Sequence, residues 1–386
     1  MKILHVIPSL SGLRGGPTFV VRSLASQQAR AGVEVHIATT DDDDRGRQAV
    51  PLGRPLVRDG ATFWYFARTT RTYGSSIGLT AWLLRHTAEF DLVHIHSVFS
   101  FPATVAAKIA QMRSVPYVVR PLGVLNRWGL KSGRAWAKRL SIRWIEGAIL
   151  RHAAAVQFSS AAERAESERA CAVARPVVIP NPVDLDAPAP RGRFRARYPQ
   201  TDGRRIVLFV GRLAPVKGVE VLLEAFQAVR RRSARTVLAI AGAGDEAYVA
   251  RLHARAEELG IAGDVVWAGF LDRSAKAEAL ADADVFVAPS HSESFGLAVV
   301  EALAAGVPAV LANGVGIADE VARAGAGLVT AQDAGEIAGA VERILGDGEL
   351  AFGLGERAQA LVRERYRPDA VAAQVMKLYA EIGRRP

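Results

Sequence analysis

The sequence predicts an α/β protein built from two doubly wound, Rossmann-like domains. Its 386 residues exceed what one ordinary hydrophobic core needs and suit two domains. Short apolar runs alternate with helix-length segments, which is typical of parallel sheets covered on both faces. A proline-rich stretch around residues 174–204 separates two such series, and we interpret it as the interdomain linker.

The first half begins as strand, glycine-containing loop and helix. Pro17 stands where the first turn of a helix tolerates proline, and Gly32 suits the cap at the end of that helix. The runs that predict strands in this half are KILHVIP, VEVHIATT, DLVHIHS, VPYVVR and AAVQFSS.

The second half repeats the alternation and ends in three helical segments from about Asp333. Open parallel sheets bind ligands beyond the carboxyl ends of their strands, so we expect both domains to present loops to a central cleft. The runs that predict strands in this half are RIVLFVGR, TVLAIAGAG, DVVWAGF, DVFVAPS and PAVLANG.

The composition indicates a cytoplasmic enzyme. The single cysteine, Cys171, precludes an intramolecular disulfide and suits a reducing compartment. No run reaches the ~18 apolar residues of a membrane-spanning helix. The opening MKILHVIPSL lacks a small-residue cleavage site, and we interpret it as a strand rather than a signal peptide.

A net charge of +10 calls for an anionic partner, and one basic segment stands out. From Arg120 to His152, Arg120 included, eight Lys and Arg residues accompany a single acid, Glu146. Tryptophans and basic residues together suit the interface of an anionic membrane, which predicts peripheral contact through residues 127–151 at the inner face of the cell membrane. Ordinary packing with solvated charges suits them equally, and both interpretations stay open. The interleaved residues are Trp128, Trp136, Trp144, Arg127, Lys131, Arg134, Lys138, Arg139 and Arg143.

The segment from Asp284 to Val310 carries the strongest ligand signal. A buried strand ends at a Ser-His-Ser-Glu-Ser loop, and a helix is predicted to begin near Phe295. The backbone N–H groups of Phe295, Gly296 and Leu297 would point out of that helix start. Such a start attracts anions and suits a diphosphate.

Two carboxylates flank this predicted helix start. Glu293 precedes it and Glu301 follows eight residues later, roughly 12 Å away along a helix axis. At that separation each could reach hydroxyl groups on one side of a bound pyrophosphate. The alternative is an acid favoured by the helix dipole together with a solvated helix acid.

Several motifs, in order over residues 1 to 330, resemble those of the retaining GT-B glycosyltransferases of family four. The segment just described resembles their E-x7-E signature. IPNPVD departs from the usual I-P-N-G-V-D by Pro182. The other motifs are GRLAPVKG at Gly211 to Gly218, AGAGDE at Ala241 to Glu246, IPNPVD at Ile179 to Asp184, and GGP at Gly15 to Pro17.

The resemblance implies a GT-B fold in which the two domains bind different substrates. Residues 1–180 would form an acceptor-binding domain, and residues 200–366 would form the nucleotide-sugar-binding domain. A last helix, over about 367–386, would pack back on the first domain. The donor would be a nucleoside-diphosphate sugar, and the acceptor a glycan or a lipid-linked sugar.

The resemblance also assigns roles in the second domain. Arg212 and Lys217 would hold the donor's diphosphate, where fixed cations stabilise the charge that builds on the leaving group. Glu293 would contact the transferred sugar, and Glu301 the ribose hydroxyls. The alternative for Arg212 and Lys217 is two cations on ordinary solvated loops.

The candidate residues of the first domain are less specific. Gly15 and Gly16 would let a loop approach the donor from the opposite domain, although a packing turn is the alternative. His94 and His96 share one face at a strand end, and His96, nearer the loop, is the better candidate for catalysis; a structural role is as well supported. Many family members carry a histidine shortly after the strand that corresponds to VPYVVR, where this chain reads Arg120 to Gly123, so that histidine's role does not transfer. Arg120 could instead bind an acceptor phosphate, support the site or form an ordinary ion pair.

We predict neither a metal nor a cofactor. His94 and His96 have no evident third ligand in the sequence. The acidic run at 41–44 follows a strand and is interpreted as a solvated loop. Asp282 and Asp284 flank a buried strand and are interpreted as structural. The resembled family needs no metal for catalysis.

The predicted activity is therefore retaining glycosyl transfer to an acceptor hydroxyl, a hexosyltransferase reaction of EC 2.4, with UDP or GDP as leaving group. By analogy, the product belongs to envelope or exopolysaccharide synthesis. A nucleotide-sugar epimerase of the same fold is the alternative. Only the charge favours nucleic-acid binding, and no known binding motif supports it, so we expect no such partner. A dinucleotide oxidoreductase would need G-x-G-x-x-G after the first strand, where it is missing.

Overall fold

The structure is a computed structural model that describes residues 1–12, 15–43, 46–70, 73–131, 135–184 and 189–383. The chain divides into two compact units. Unit 1 comprises Met1–Pro182 and Pro368–Pro386, and unit 2 comprises Val183–Arg367.

Unit 1 is built on an eight-stranded sheet with the order β3-β4-β2-β1-β5-β6-β7-β8. All neighbouring strands are parallel except β3 and β4, which form an antiparallel hairpin at one edge. The strands are β1 (Lys2–Ser9), β2 (Glu34–Thr40), β3 (Pro55–Arg58), β4 (Ala61–Phe66), β5 (Leu92–His96), β6 (Tyr117–Arg120), β7 (Ala155–Phe158) and β8 (Pro176–Val178). Strands β3, β4 and β8 add to the five that the apolar runs predict.

Helices cover both faces of this sheet, and the central strands are therefore almost wholly buried, as in β5. A π-helical turn, Ile142–Glu146, joins α5 to α6. The helices are α1 (Gly16–Arg30), α2 (Ile77–His86), α3 (Phe101–Met112), α4 (Arg127–Lys131), α5 (Ala135–Ser141), α6 (Gly147–His152) and α7 (Ala161–Ala170).

Unit 2 contains a six-stranded, fully parallel sheet with the order β11-β10-β9-β12-β13-β14. Its strands are β9 (Arg205–Val210), β10 (Thr236–Ala241), β11 (Val265–Gly269), β12 (Val285–Ala288), β13 (Ala309–Ala312) and β14 (Leu328–Thr330). Its helices are α8 (Arg193–Arg197), α9 (Val219–Arg232), α10 (Glu246–Glu258), α11 (Arg273–Asp282), α12 (Leu297–Ala304), α13 (Ala318–Arg323), α14 (Ala334–Gly346) and α15 (Gly348–Arg365). The predicted α/β class is confirmed.

The last helix, α16 (Pro368–Gly383), belongs to unit 1 although it follows unit 2 in sequence. Its apolar face joins the cluster that contains Leu24 of α1, through Val371, Val375 and Tyr379. Tyr379 is also where this helix reaches the buried polar groups of the sheet, as described below.

Candidate active site

In unit 2, the loop after β9 carries Arg212 and Lys217. The Leu213 N–H donates to the Ala243 carbonyl at 2.8 Å, which ties this loop to the one after β10. Arg212 is exposed. Lys217 ends a short 3₁₀ turn, and Gly218, with φ +67°, caps α9.

Gly218 lets the Lys217 turn lie directly against the loop after β12. A Cβ at Gly218 would stand 2.2 Å from the Pro289 carbonyl oxygen, closer than any side chain tolerates. The His291 N–H donates to the Val216 carbonyl at 2.9 Å and joins the two loops. The sequence motifs place both loops beyond strand ends, and this backbone bond helps to bring them together.

Lys217 and Glu293 form an ion pair in which both side chains are about four-fifths buried. The Glu293 backbone is held on both sides, since its N–H donates to Gly314 and its carbonyl accepts from Gly316. Burial and the neighbouring Arg212 guanidinium lower the pKa of Lys217 to about 8. Lys217 is therefore a positioned cation rather than a solvated surface lysine.

Helix α12 begins at Leu297, two residues later than predicted. Its N-cap, Gly296, has φ +95° and no side-chain cap, so the first N–H groups of the helix have no capping side chain. The Phe295 side chain is buried edge-to-face against Tyr366, with ring centroids 5.5 Å apart. Phe295 thus anchors the helix start to the core.

Glu301 lies on α12 and pairs with Lys276 of α11, with Nζ and Oε1 2.5 Å apart. Both side chains are about three-quarters buried. Lys276 was missed because no motif marks it. The one signal in the sequence is that Lys276 is a basic residue in the first turn of a helix that follows a strand.

In unit 1, Gly15 and Gly16 stand at the start of α1. Gly15 has φ +67°, and a Cβ there would meet nothing within 4 Å, so the requirement is conformational rather than steric. The two residues before Gly15 in this loop, 13 and 14, lie outside the described residues. Donor approach by this loop stays our prediction.

His94 and His96 are fully buried, and a third histidine joins them. His5 of β1 lies opposite His94 of β5 because the two strands are neighbours in the sheet. His5 Nδ1 is 2.9 Å from His96 Nε2, and His5 Nε2 is 2.8 Å from Gln28 Oε1. The expectation that the pair has no third partner is therefore wrong, since β1 supplies one.

The three histidines are neutral around pH 7. Burial lowers the pKa of His5 to about 4 and holds the pKa values of His94 and His96 well below their usual range. His94 Nδ1 lies 2.5 Å from the Tyr379 hydroxyl of α16. Among the described residues, His94 Nε2 and His96 Nδ1 are buried without a hydrogen-bond partner.

The ligand nitrogens of these histidines lie within 4.8 Å of one another, close enough to raise the question of a metal ion. The buried Arg120 guanidinium acts on all three and opposes an added cation. His5 Nδ1 and His96 Nε2 already lie within hydrogen-bonding distance of each other. A protein without a bound metal stays our prediction.

Arg120, at the end of β6, is 2% exposed. Its Nη2 donates to the Asn181 side-chain oxygen, within IPNPVD, and burial lowers its pKa to about 10. The hydrogen-bond partner is an amide rather than a carboxylate, which argues against the ordinary ion-pair interpretation. Its Nε is buried without a partner in the described part of the chain.

The expectation that the acidic run at 41–44 is a solvated loop is wrong for its first two residues. Asp41 and Asp42 are buried, and both carboxylates contact Arg68, just after strand β4. Asp42 pairs with the Arg68 guanidinium, and Asp41 accepts the Arg68 N–H at 2.7 Å. The fourth aspartate, Asp44, lies outside the described residues.

Asp282 and Asp284 are structural, as predicted. Asp282 accepts from the Gly192 N–H at 2.6 Å, and Asp284 accepts from the Ile206 N–H at 2.8 Å. They hold the chain entering unit 2 and its first strand.

The basic segment presents its tryptophans to solvent. Trp136 is 71% exposed, Trp144 68% and Trp128 41%. This exposure argues against the interpretation that they pack in the core. Arg134 lies outside the described residues. No helix in the described ranges is long and apolar enough to span a bilayer.

Comparison with known protein families gives two matches that together cover most of the chain. Residues 15–182 match the "Glycosyl transferase 4-like domain", and residues 190–361 match "Glycosyl transferases group 1". The boundary between the two matches falls where the chain passes from unit 1 to unit 2.

Two relatives illustrate the similarity in sequence. A phosphatidyl-myo-inositol mannosyltransferase of Mycolicibacterium smegmatis is 30% identical over 99% of this chain and 94% of its own length. A D-inositol 3-phosphate glycosyltransferase of the same organism is 29% identical over 87% of this chain and 80% of its own.

Solved structures share the fold. Sucrose-phosphate synthase from Thermosynechococcus elongatus superimposes with a TM-score of 0.80 at 23% identity, covering 99% of each chain. HepE of Anabaena, in complex with UDP-glucose, gives 0.78 at 20% identity, covering 99% of this chain and 100% of that one. The fold is GT-B, and the protein is a glycosyltransferase, a transferase of EC 2.4 type. The chain belongs to the GT4-type glycosyltransferases, as its motifs predict.

Proposed function

We propose that this enzyme moves a sugar from a nucleoside-diphosphate sugar to an acceptor hydroxyl with retention of the anomeric configuration. The observation that carries the proposal is the meeting of Lys217 with Glu293 just before the uncapped start of α12. One cation, a second cation at Arg212 and open helix N–H groups suit a diphosphate. The glutamate suits the hydroxyls of the attached sugar.

Lys217 would act on the leaving group. As the bond between the anomeric carbon and the diphosphate oxygen breaks, negative charge builds on that oxygen, and a fixed ammonium stabilises it more than the intact donor. The ammonium is paired with Glu293. A bound diphosphate would also contact the Lys217 ammonium, and the Glu293 carboxylate would then accept hydrogen bonds from the sugar hydroxyls.

Retention would follow from displacement on the front face. The acceptor oxygen bonds to the anomeric carbon on the face that the diphosphate leaves, and the departing diphosphate oxygen takes the acceptor proton. No carboxylate is assigned as a covalent nucleophile, and no step uses a metal. Unit 1 would bind the acceptor. His96 and Arg120, with His94 behind them, are buried and would support the acceptor site from below.

Binding of different nucleotides tests which nucleobase the sugar donor carries. The HepE structure holds UDP-glucose, and a Mycobacterium tuberculosis relative is described as GDP-mannose-dependent, so both bases are candidates here. We expect UDP or GDP at about 100 times its Kd to stabilise the protein by about 2.7 kcal/mol in a thermal shift assay. The matching monophosphate, which lacks the second phosphate, should give a much smaller shift.

Product analysis then separates the two enzyme classes. With the preferred donor and a sugar acceptor, NMR of the product should show the donor's anomeric configuration. An inverted linkage would contradict retention. Release of an epimerised sugar nucleotide without an acceptor would instead identify an epimerase. If neither UDP, GDP nor ADP shifts the melting temperature, the proposal of a diphosphate-binding site in unit 2 is wrong.

We also propose peripheral contact with the inner face of an anionic membrane, where a lipid-linked acceptor of envelope or exopolysaccharide synthesis would be presented. Trp136, Leu140 and Trp144 recur every four residues along one helical run, and each is more than half exposed. We call these three the aromatic stripe. Exposed Arg139 and Arg143 alternate with it. Aromatic and apolar groups flanked by arginines fit a headgroup boundary.

Removing the two tryptophans of the stripe should weaken vesicle binding. We expect Trp136→Ser with Trp144→Ser to lower the partition coefficient on phosphatidylglycerol vesicles about tenfold or more, because each indole loses its interfacial site. Co-sedimentation measures it, with phosphatidylcholine vesicles as the uncharged reference. Phe352→Ser, at an equally exposed aromatic residue of unit 2, is the matched control. Equal partitioning of both variants and wild type would exclude the stripe as a docking surface.

A further inference from the structure

The helical run from Ala135 to His152 changes register at its π turn. α5 has no buried residue, whereas Glu146, Gly147, Ile149 and Leu150 are buried. A Cβ at Gly147 would stand 2.4 Å from the Ile142 carbonyl oxygen, so the wide turn needs glycine there. π turns are rare and recur at functional sites. Here the turn directs one carboxylate inward two residues after Trp144.

That carboxylate, Glu146, is the single acid of the basic segment and is fully buried. Its Oε1 accepts the Phe99 N–H at 3.1 Å, and its Oε2 is buried with no hydrogen-bond partner among the described residues. Burial raises the pKa of the carboxyl to about 7. No ion pair within the described ranges offsets this burial, which is costly for an acid unless its position matters.

The loop that Glu146 holds is strained. Ser97 has φ +101° and Phe99 has φ +57°, and neither is glycine. Such residues cost of order 1–3 kcal/mol each, and they persist where surrounding contacts fix them. The Ser97 N–H donates to the Arg120 carbonyl at 2.8 Å, and Val98 is buried. The loop directly follows His96, at the carboxyl end of β5, where open parallel sheets bind their ligands.

The neighbouring loops are held in a similar way. Glu163 of α7 is also buried, and its two oxygens accept the N–H groups of Gly123 and Ser159 at 2.6 and 2.7 Å. Leu122, beside Gly123, has φ +60°. Buried carboxylates therefore hold the loops after β5, β6 and β7. Of the two, Glu146 reaches its loop from a different, surface-exposed helical run.

We infer that Glu146 is a positioning residue for the acceptor half of the reaction, which fixes the loop Ser97–Phe99 behind His96 through its bond to the Phe99 N–H. The inference rests on the proposed function, in which unit 1 binds the acceptor. Glu146 touches neither substrate. Its effect should therefore fall on the acceptor and leave the nucleotide in unit 2 unchanged.

The test compares Glu146→Met with Glu146→Gln. Methionine fills a similar volume without a hydrogen-bond acceptor and removes the buried charge, so the variant should fold. Glutamine keeps an oxygen that can accept the Phe99 N–H. For Glu146→Met we expect kcat/KM for the acceptor to fall about 10- to 100-fold. Donor KM and the nucleotide-induced thermal shift of this variant should stay as in wild type. Glu146→Gln should restore most of the kcat/KM for the acceptor.

Amide hydrogen exchange provides a readout that needs no activity. The Phe99 amide should exchange faster in Glu146→Met than in wild type and regain protection in Glu146→Gln. Unchanged Phe99 protection and an unchanged kcat/KM for the acceptor in Glu146→Met would overturn the inference. So would equal losses on donor and acceptor, or equal losses in both variants. A wild-type chain that transfers no sugar would refute the proposed function instead, and the exchange experiment would still decide whether Glu146 holds the loop.

Discussion

Replacing Lys217 with alanine is expected to lower kcat about 10²- to 10³-fold, the range seen when one positioned group that stabilises transition-state charge is removed. Lys217 is about four-fifths buried and paired with Glu293, so its ammonium is held in place before the donor arrives. Little reorganisation is then needed when charge builds on the leaving diphosphate. The loss should appear equally in kcat and kcat/KM, since the interaction belongs mainly to the transition state.

The fold should tolerate this change. The Lys217 side chain belongs to a loop turn rather than to the apolar clusters of unit 2, so we expect the melting temperature to shift by no more than about 3 °C. Lys217→Arg should keep part of the activity because the charge remains. Arg232→Ala, which removes an exposed cation from α9, is the matched control and should be silent. Near-normal turnover of Lys217→Ala would refute the role assigned to it.

The sequence predicts well those features that lie on one continuous segment. The alternation of apolar runs predicts both sheets, and the loop motifs select Lys217 and Glu293 because each motif carries its own chemistry. Their contact could not be read from the sequence. It depends on Gly218 and the Val216–His291 backbone bond, which join loops more than 70 residues apart.

The features that sequence reasoning missed depend on sheet order and local backbone geometry. His5 meets His94 and His96 because β1 lies beside β5, which the order along the chain does not reveal. Asp41 and Asp42 look like a solvated run until Arg68, at the end of β4, is placed beside them. Glu146 looks like one acid among many bases until the π turn directs it inward.

The histidine cluster makes unit 1 sensitive to acid. The pKa of His5 falls from about 6.5 in the unfolded chain to about 4 in the fold. As the pH drops below about 6.5 the unfolded chain binds protons first, so stability is lost progressively down to the folded pKa. His5 alone amounts to about 3 kcal/mol over that whole window, and His94 and His96 act in the same direction.

Glu146 acts in the opposite direction. Its pKa is raised in the fold, so the folded chain binds that proton first and gains stability as the pH falls from about 7 to about 4.5. On acidification, the wild-type chain should therefore lose only part of the unfolding free energy that the three histidines alone would remove. Glu146→Gln removes this offset and should show the full acid sensitivity of the cluster.

We expect unit 1 of Glu146→Gln to lose about 4 kcal/mol of unfolding free energy between about pH 8 and pH 5.5, and wild type to lose about half of that. Urea unfolding followed by tryptophan fluorescence measures it, because five of the six tryptophans, all but Trp267, lie in unit 1. His5→Gln should reduce the loss by roughly a third, and His152→Gln, at an exposed residue of unit 1, is the matched control. A free energy that stays level over this range in Glu146→Gln would mean that the three histidines are not held neutral in the folded chain.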